Sequence, residues 1–247
     1  MSDNSIEQMF LEILRELEEN ANPNNLAGMA KVGITPDFAF GTKIPVIRAI
    51  AKRVKRNHAL GLRLWEKDNR ETRILASMIA EPKMVTEELM EQWVLEFNYW
   101  EICDQVIMNL FEKTPFAYKK CYEWSEREEE FVKRAGFVIM ARLAVCDKKA
   151  ENSEFLKFLP IIKTYSTDER NMVKKGINWA LRQIGKRNRT LNEEALKTTR
   201  EILEIDSKHA QWIAMDALKE LTSEAIQKRL KSKQMLVSLE NFLCINK

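Results

Sequence analysis

An all-α fold of stacked helical pairs is what this 247-residue sequence predicts, and three observations carry the expectation. Only seven glycines and six prolines interrupt the chain. No segment alternates apolar and polar residues with the period of two that a half-buried strand requires. Five segments instead repeat one pattern, a polar start followed by a stripe of small and apolar residues: RILASMI from Arg73, DQVIMNL from Asp104, RAGFVIMARL from Arg134, KGINWALRQI from Lys175 and QWIAMDALKEL from Gln211. Their starts lie 31, 30, 41 and 36 residues apart, and each interval has room for one more helix and two turns. Stacked pairs of this kind bury their apolar faces against their neighbours alone, which makes a curved HEAT-like helical-repeat solenoid whose concave face suits a long partner. An irregular helical bundle with coincidental spacing is the alternative.

The elements follow in order. Ser5 and Gln8 fit a capping box ahead of the apolar stripe Ile6, Met9, Phe10, Ile13, Leu14 and Leu17. Thr35-Pro36, Thr86-Glu87-Glu88 and Thr114-Pro115 read as further helix starts, with Pro36 and Pro115 at the first helical position. Residues 1–230 are expected to form one repeat domain. Residues 231–247, which include MLVSLENFLCINK beside the Lys-rich KRLKSK, form a final docking helix or a tail.

Hydrophobic residues make up 45% and charged residues 31% of the chain, an ordinary balance that excludes bulk disorder. Net charge is only +3, but from Lys43 to Arg73 there are ten Lys or Arg against three acids, while Glu126–Glu130 is acidic. A small net charge therefore conceals a basic face, expected on the concave side. Cys103, Cys121, Cys146 and Cys244 form no CxxC pair and read as small buried hydrophobes; His58 and His209 are far apart. No metal site or disulfide framework is expected. The acidic N-terminus lacks the basic region of a signal peptide, and no apolar run reaches the roughly 18 residues of a membrane span. A reduced, cytoplasmic protein is the expectation.

Two stretches place unusual residues on helical faces. In NMVKKGINWALRQIGKRN, Val173, Ile177, Ala180, Leu181 and Ile184 cluster on one face, and Trp179 lies roughly 140° from its centre at about 100° per residue. Its helical neighbours are Lys175, Arg182 and Lys186, and Arg187, Asn188 and Arg189 follow. Cations there suit a helix C-terminus, and Trp179 has a structural reading as packing beneath Lys and Arg stems. The functional reading is a basic surface, interleaved with an aromatic ring, that grips a phosphate backbone. In NYWEICDQV, Trp100, Asp104, Ile107 and Phe111 share a face, which puts one acid in an apolar stripe. Such a carboxylate needs a partner to offset its desolvation. It is a structural bridge, for which Arg134 is the candidate, a helix cap, or an anion kept ionised to stabilise positive charge. Trp65, Trp93, Trp124 and Trp212 sit among apolar residues and are assigned to the core.

WEICD, VKRAGF and INWALRQIGKRN together resemble the AlkD-type DNA alkylation repair family, DNA glycosylases of the HEAT-like-repeat superfamily. The resemblance runs in order over about residues 5–230. It implies that Trp100, Asp104, Arg134 and Trp179 form the active site of a monofunctional glycosylase acting on N3- or N7-alkylated purines in double-stranded DNA, without metal or organic cofactor. Asp104 is then the anion facing the oxocarbenium-like sugar, Trp100 and Trp179 pack on the deoxyribose, and Arg134 holds a backbone phosphate. The surrounding cations Lys43, Arg48, Lys52, Lys55, Lys175, Arg182, Lys186, Arg187 and Arg189 are assigned to DNA binding, and the protein is expected to act as a monomer. The family carries a tyrosine in the segment that here reads GMAKVGITP, where Val32 takes its place. A second reading is therefore a non-catalytic protein that binds damaged, bent or branched DNA; a protein–protein scaffold is a third.

Overall fold

The computed structural model describes residues 3–232. Among these the chain is helical throughout, with no strand, and divides into two compact units, Met1–Lys119 and Lys120–Lys247. No described helix is long and apolar enough to cross a membrane. MLVSLENFLCINK and Cys244 lie outside the described residues, while residues 224–232 are helical.

The first unit holds α1 (Asp3–Glu19), α2 (Asn24–Lys31), α3 (Ile44–Val54), α4 (His58–Trp65), α5 (Arg70–Ile79), α6 (Glu87–Leu95) and α7 (Trp100–Asn109). Phe10, Ile13 and Leu17 of α1 are buried as the apolar stripe requires, but α1 is already helical at Ser5 and Gln8 donates to Glu12, so no capping box forms there. Nor does Pro36 start a helix: residues 34–43 form a loop, and α3 begins at Ile44. The cause is tertiary. The backbone N–H groups of Phe40, Gly41 and Thr42 donate to the Glu71 carboxylate at 2.9, 3.1 and 3.1 Å, which competes with helical pairing. Gly41 has φ 75°, and a Cβ there would sit 2.2 Å from the Asn22 carbonyl oxygen, so only glycine fits. Thr86 does cap α6, accepting from Leu89 N–H at 3.2 Å. α5 packs against α3, α4 and α7 and is buried on nearly every side. Trp65 and Trp93 stack with ring centres 3.9 Å apart, and Arg73 lies over Trp65, so both are core residues.

α8 (Ala117–Ser125) spans the boundary, and Pro115 precedes it in a turn instead of opening it. The second unit continues with α9 (Glu130–Cys146), α10 (Asn152–Leu156), α11 (Phe158–Thr164), α12 (Asn171–Gly185), α13 (Arg189–Leu203) and α14 (Lys208–Leu221). The five repeated segments fall in α5, α7, α9, α12 and α14. One helix separates them in three intervals, but two short helices, α10 and α11, fill the 41-residue interval. α9 is apolar almost all round and buried accordingly; Trp124 of α8 is fully buried. α12 packs on α9, α13 and α14. Asn178 donates to the Ile213 carbonyl and Asn192 to the Gly185 carbonyl, tying three helices together through satisfied buried amides.

Two assignments to the core are corrected. Trp212 is 41% exposed, with the Lys174 ammonium 4.7 Å from its ring. It lies roughly 160° from the buried Ala210, Ile213, Ala214, Ala217 and Leu221 face of α14, the same rotation that placed Trp179 outside its core stripe. Cys103 and Cys121 are buried as expected, and burial pushes the Cys121 thiol upward; Cys146 is exposed, as the last residue of α9.

At Gly136 α9 passes close to the end of α8. A Cβ there would meet Ser125 N at 2.5 Å and Ser125 Cα at 3.0 Å, both backbone atoms. Gly136→Ala is therefore expected to destabilise the protein by about 2 kcal/mol, overpacking outweighing the gain in helix propensity. A urea midpoint unchanged from wild type would contradict this close approach.

Candidate functional site

In the first unit, α7 carries two of the four residues assigned to catalysis. Trp100 opens the helix, half-buried, and its indole N–H donates to the Val32 carbonyl at 2.8 Å. Val32 itself is 59% exposed and borders Trp100 directly. Asp104, one turn along α7, is 7% exposed among Ile102, Cys103, Val106 and Ile107, all buried.

Sequence reasoning missed the feature that positions this helix. Glu101 is also buried, and it is held bidentately by Arg70, Nε and Nη2 each donating at 2.7 Å. Arg70 Nη1 reaches Glu71 at 2.9 Å and the Thr42 carbonyl at 3.0 Å. Burial opposes the Arg70 charge, but Glu101 and Glu71 more than offset it and raise its pKa. The Tyr99 phenol beside them is pushed upward, first by burial and then by Glu101. The signal available in the sequence was Glu101, a second acid beside Asp104 in a helix otherwise apolar, and Arg70 and Glu71 just ahead of the apolar segment from Arg73.

The basic stretch of the first unit separates into structural and exposed cations. Arg53 pairs with Glu16, Arg63 with Glu7 at 2.8 Å, and Arg73 with Asp68 at 2.9 Å and with Glu96. Lys43, Arg48, Lys52 and Lys55 are exposed and form no ion pair among the described residues. Arg48 and Lys52 are neighbours on α3, opposed to its buried Ile47 and Ile50. Lys55 caps the helix at φ 63°, ψ −163°, a conformation close to glycine's own territory.

In the second unit, Arg134 and Trp179 lie on helices that pack together. Arg134 is 5% exposed on α9; its Nη1 donates to the Met172 carbonyl of α12 at 2.6 Å, and its Cγ is 3.5 Å from where a Gly176 Cβ would be. Val173, Ile177, Ala180, Leu181 and Ile184 are fully buried, and Trp179 is half-buried on another side of α12. There it lines a cavity of about 450 Å³ with Arg142, Lys148, Lys186, Arg187 and Arg229, and no acid lines it among the described residues. Arg182 and Lys186 both pair with Glu220, each at 2.7 Å. Burial would raise the Glu220 pKa, but these two cations outweigh it and hold it below the usual carboxylate value. Arg187 donates to the Ala144 and Ala150 carbonyls at 3.1 and 2.9 Å and covers the Phe155 ring. Arg189 is exposed and pairs with Glu193; Lys175 is exposed. Arg142, Lys148 and Arg229 escaped the sequence reading because they are brought to Trp179 from separate elements.

With this geometry in view, comparison with known proteins places the chain: it belongs to the DNA alkylation repair enzyme family, whose model matches residues 13–221. Uncharacterised proteins of Listeria innocua and Listeria monocytogenes are 28% and 27% identical over 135 residues, 53% of this chain and 60% of each relative's length. The matched part thus spans less than two thirds of these relatives. A solved structure described as a new family of proteins related to the HEAT-like repeat DNA glycosylases, with affinity for branched DNA structures, superposes with a TM-score of 0.76 at 20% identity, covering 90% of this chain and 95% of that one. The HEAT-like helical-repeat fold is shared with it.

Two consequences are measurable. Arg70→Met leaves two buried carboxylates without their cation and is expected to cost about 3–5 kcal/mol in chemical denaturation; a loss under 1 kcal/mol would mean that the network is dispensable. Lys55→Gly relieves the backbone strain and is expected to stabilise by about 1 kcal/mol net of the added unfolded-state entropy. A lower melting temperature for that variant would refute the strain.

Proposed function

We propose that this protein binds DNA and hydrolyses the N-glycosidic bond of N3- or N7-alkylated purines. The carrying observation is Asp104, an acid embedded in the apolar stripe of α7 one turn from the half-buried Trp100. Glu101, the other buried acid of that helix, is committed to Arg70; Asp104 is the acid we assign to chemistry. An alkylated purine is cationic and departs with the glycosidic electron pair as a neutral base, leaving positive charge on the deoxyribose. A carboxylate in low-dielectric surroundings stabilises that charge more strongly than one in water. It also orients the water that adds to C1′. The π face of Trp100 favours the same cation. Trp179 and Arg134 are assigned to the sugar and to a backbone phosphate, and the exposed Lys43, Arg48, Lys52 and Lys55 to phosphates along the duplex. Lys175 and Arg189 extend that contact. Arg182, Lys186 and Arg187, already bonded to Glu220 and to backbone carbonyls, contribute long-range field more than direct contact. No step calls for a metal or organic cofactor, and a monomer suffices.

A second reading, recognition of branched DNA without chemistry, is favoured by the description of the solved relative and by Val32 at the tyrosine position. The deciding experiment measures release of N7-methylguanine and N3-methyladenine from methylated duplex, together with duplex affinity across a salt series, for wild type and Asp104→Asn. The expected result is release that falls by about 100-fold or more in the variant while its salt-dependent DNA binding persists. Absence of release from a DNA-binding wild type would establish the second reading instead.

A further inference from the structure

We propose that the cavity beside Trp179 holds the terminal nucleotide of a DNA strand, its phosphate monoester gripped by Lys148 and Arg229 and its base lying against the indole. This rests on the DNA-binding reading and not on base excision: it replaces, for Trp179, the assignment to the sugar at the lesion with stacking on the base at a strand end.

The volume of about 450 Å³ is that of a small-ligand site. The cations enter from separate places: Arg142 from α9, Lys148 from the turn after it, Lys186 and Arg187 from the end of α12, and Arg229 from residues 224–232. A duplex backbone presents a ridge of singly charged diesters, matched by cations strung along one helix face, as on α3. Convergence on one hollow instead matches a single concentrated charge, and a phosphate monoester carries about −1.5 to −2 near neutral pH against −1 for a diester.

The helix ends account for only part of this set. Lys186 is paired with Glu220, and Arg187 covers the carbonyl of Ala144 in the last turn of α9. Lys148 and Arg229 have no such explanation. Both are exposed, and among the described residues neither lies in an ion pair and no acid lines the cavity they share. Trp179 supplies a planar face in the same hollow, and Gln183, one turn further along α12, adds an amide to its wall. Stacking on an aromatic ring is indifferent to base identity, so the site would read the end of a strand and not its sequence.

The test is fluorescence anisotropy with a labelled stem-loop DNA that has one blunt end, carrying a 5′-phosphate, a 3′-phosphate or hydroxyls only. Wild type and the Lys148→Ala/Arg229→Ala double variant are compared, with folding followed by circular dichroism. Wild type is expected to bind a phosphorylated end roughly fivefold more tightly than the hydroxyl end. The double variant, equally helical, is expected to bind all three alike, near the wild-type affinity for hydroxyl ends. Trp179→Phe should retain the preference and Trp179→Leu lose it. Equal wild-type affinity for all three ends, or a preference that survives in the double variant, overturns the proposal while leaving DNA binding intact. No wild-type binding to any of the three overturns the DNA-binding reading as well.

Discussion

The bidentate grip of Arg70 on Glu101 is the interaction on which the first unit depends. One guanidinium, almost fully buried, bonds to Glu101 on α7, to Glu71 on its own helix and to the Thr42 carbonyl. Glu71 in turn gathers three consecutive backbone N–H groups of the loop before α3. The loop, the start of the basic helix and the helix bearing Trp100 and Asp104 are therefore held by one charge network. Charges this deep are tolerated because every carboxylate oxygen and guanidinium nitrogen named here meets a partner of complementary kind.

The cations of the protein divide by their partners. Arg53, Arg63, Arg70, Arg73 and Arg182 spend their charge on carboxylates within the fold. Lys43, Arg48, Lys52, Lys55, Lys148 and Arg229 are exposed and form no ion pair among the described residues. A net charge of +3 does not show this division, because it counts paired and exposed cations alike. Lys55 is the sharpest instance, a lysine retained where the backbone asks for glycine.

Periodicity was legible wherever burial is decided within one helix. The stripe Val173, Ile177, Ala180, Leu181 and Ile184 is buried as its angles require, and Trp179 lies off it. The same rotation applied to α14 would have put Trp212 outside, where it is found. Helix starts were less legible, because a threonine or proline marks a helix only if no tertiary acceptor claims the backbone first. Glu71 claims it at Phe40 to Thr42, 31 to 29 residues away in sequence.

By itself the sequence determined the all-α class, the five repeated helices, the family and the side of α12 on which Trp179 lies, since helical rotation and motif order are local properties. Tertiary structure alone decided that Glu101 belongs to Arg70, that Val32 receives the Trp100 indole, and that Arg142, Lys148 and Arg229 meet at Trp179. These pairings join residues 31 to 87 positions apart. No periodicity carries across such separations; packing of the helices chooses which side chains meet.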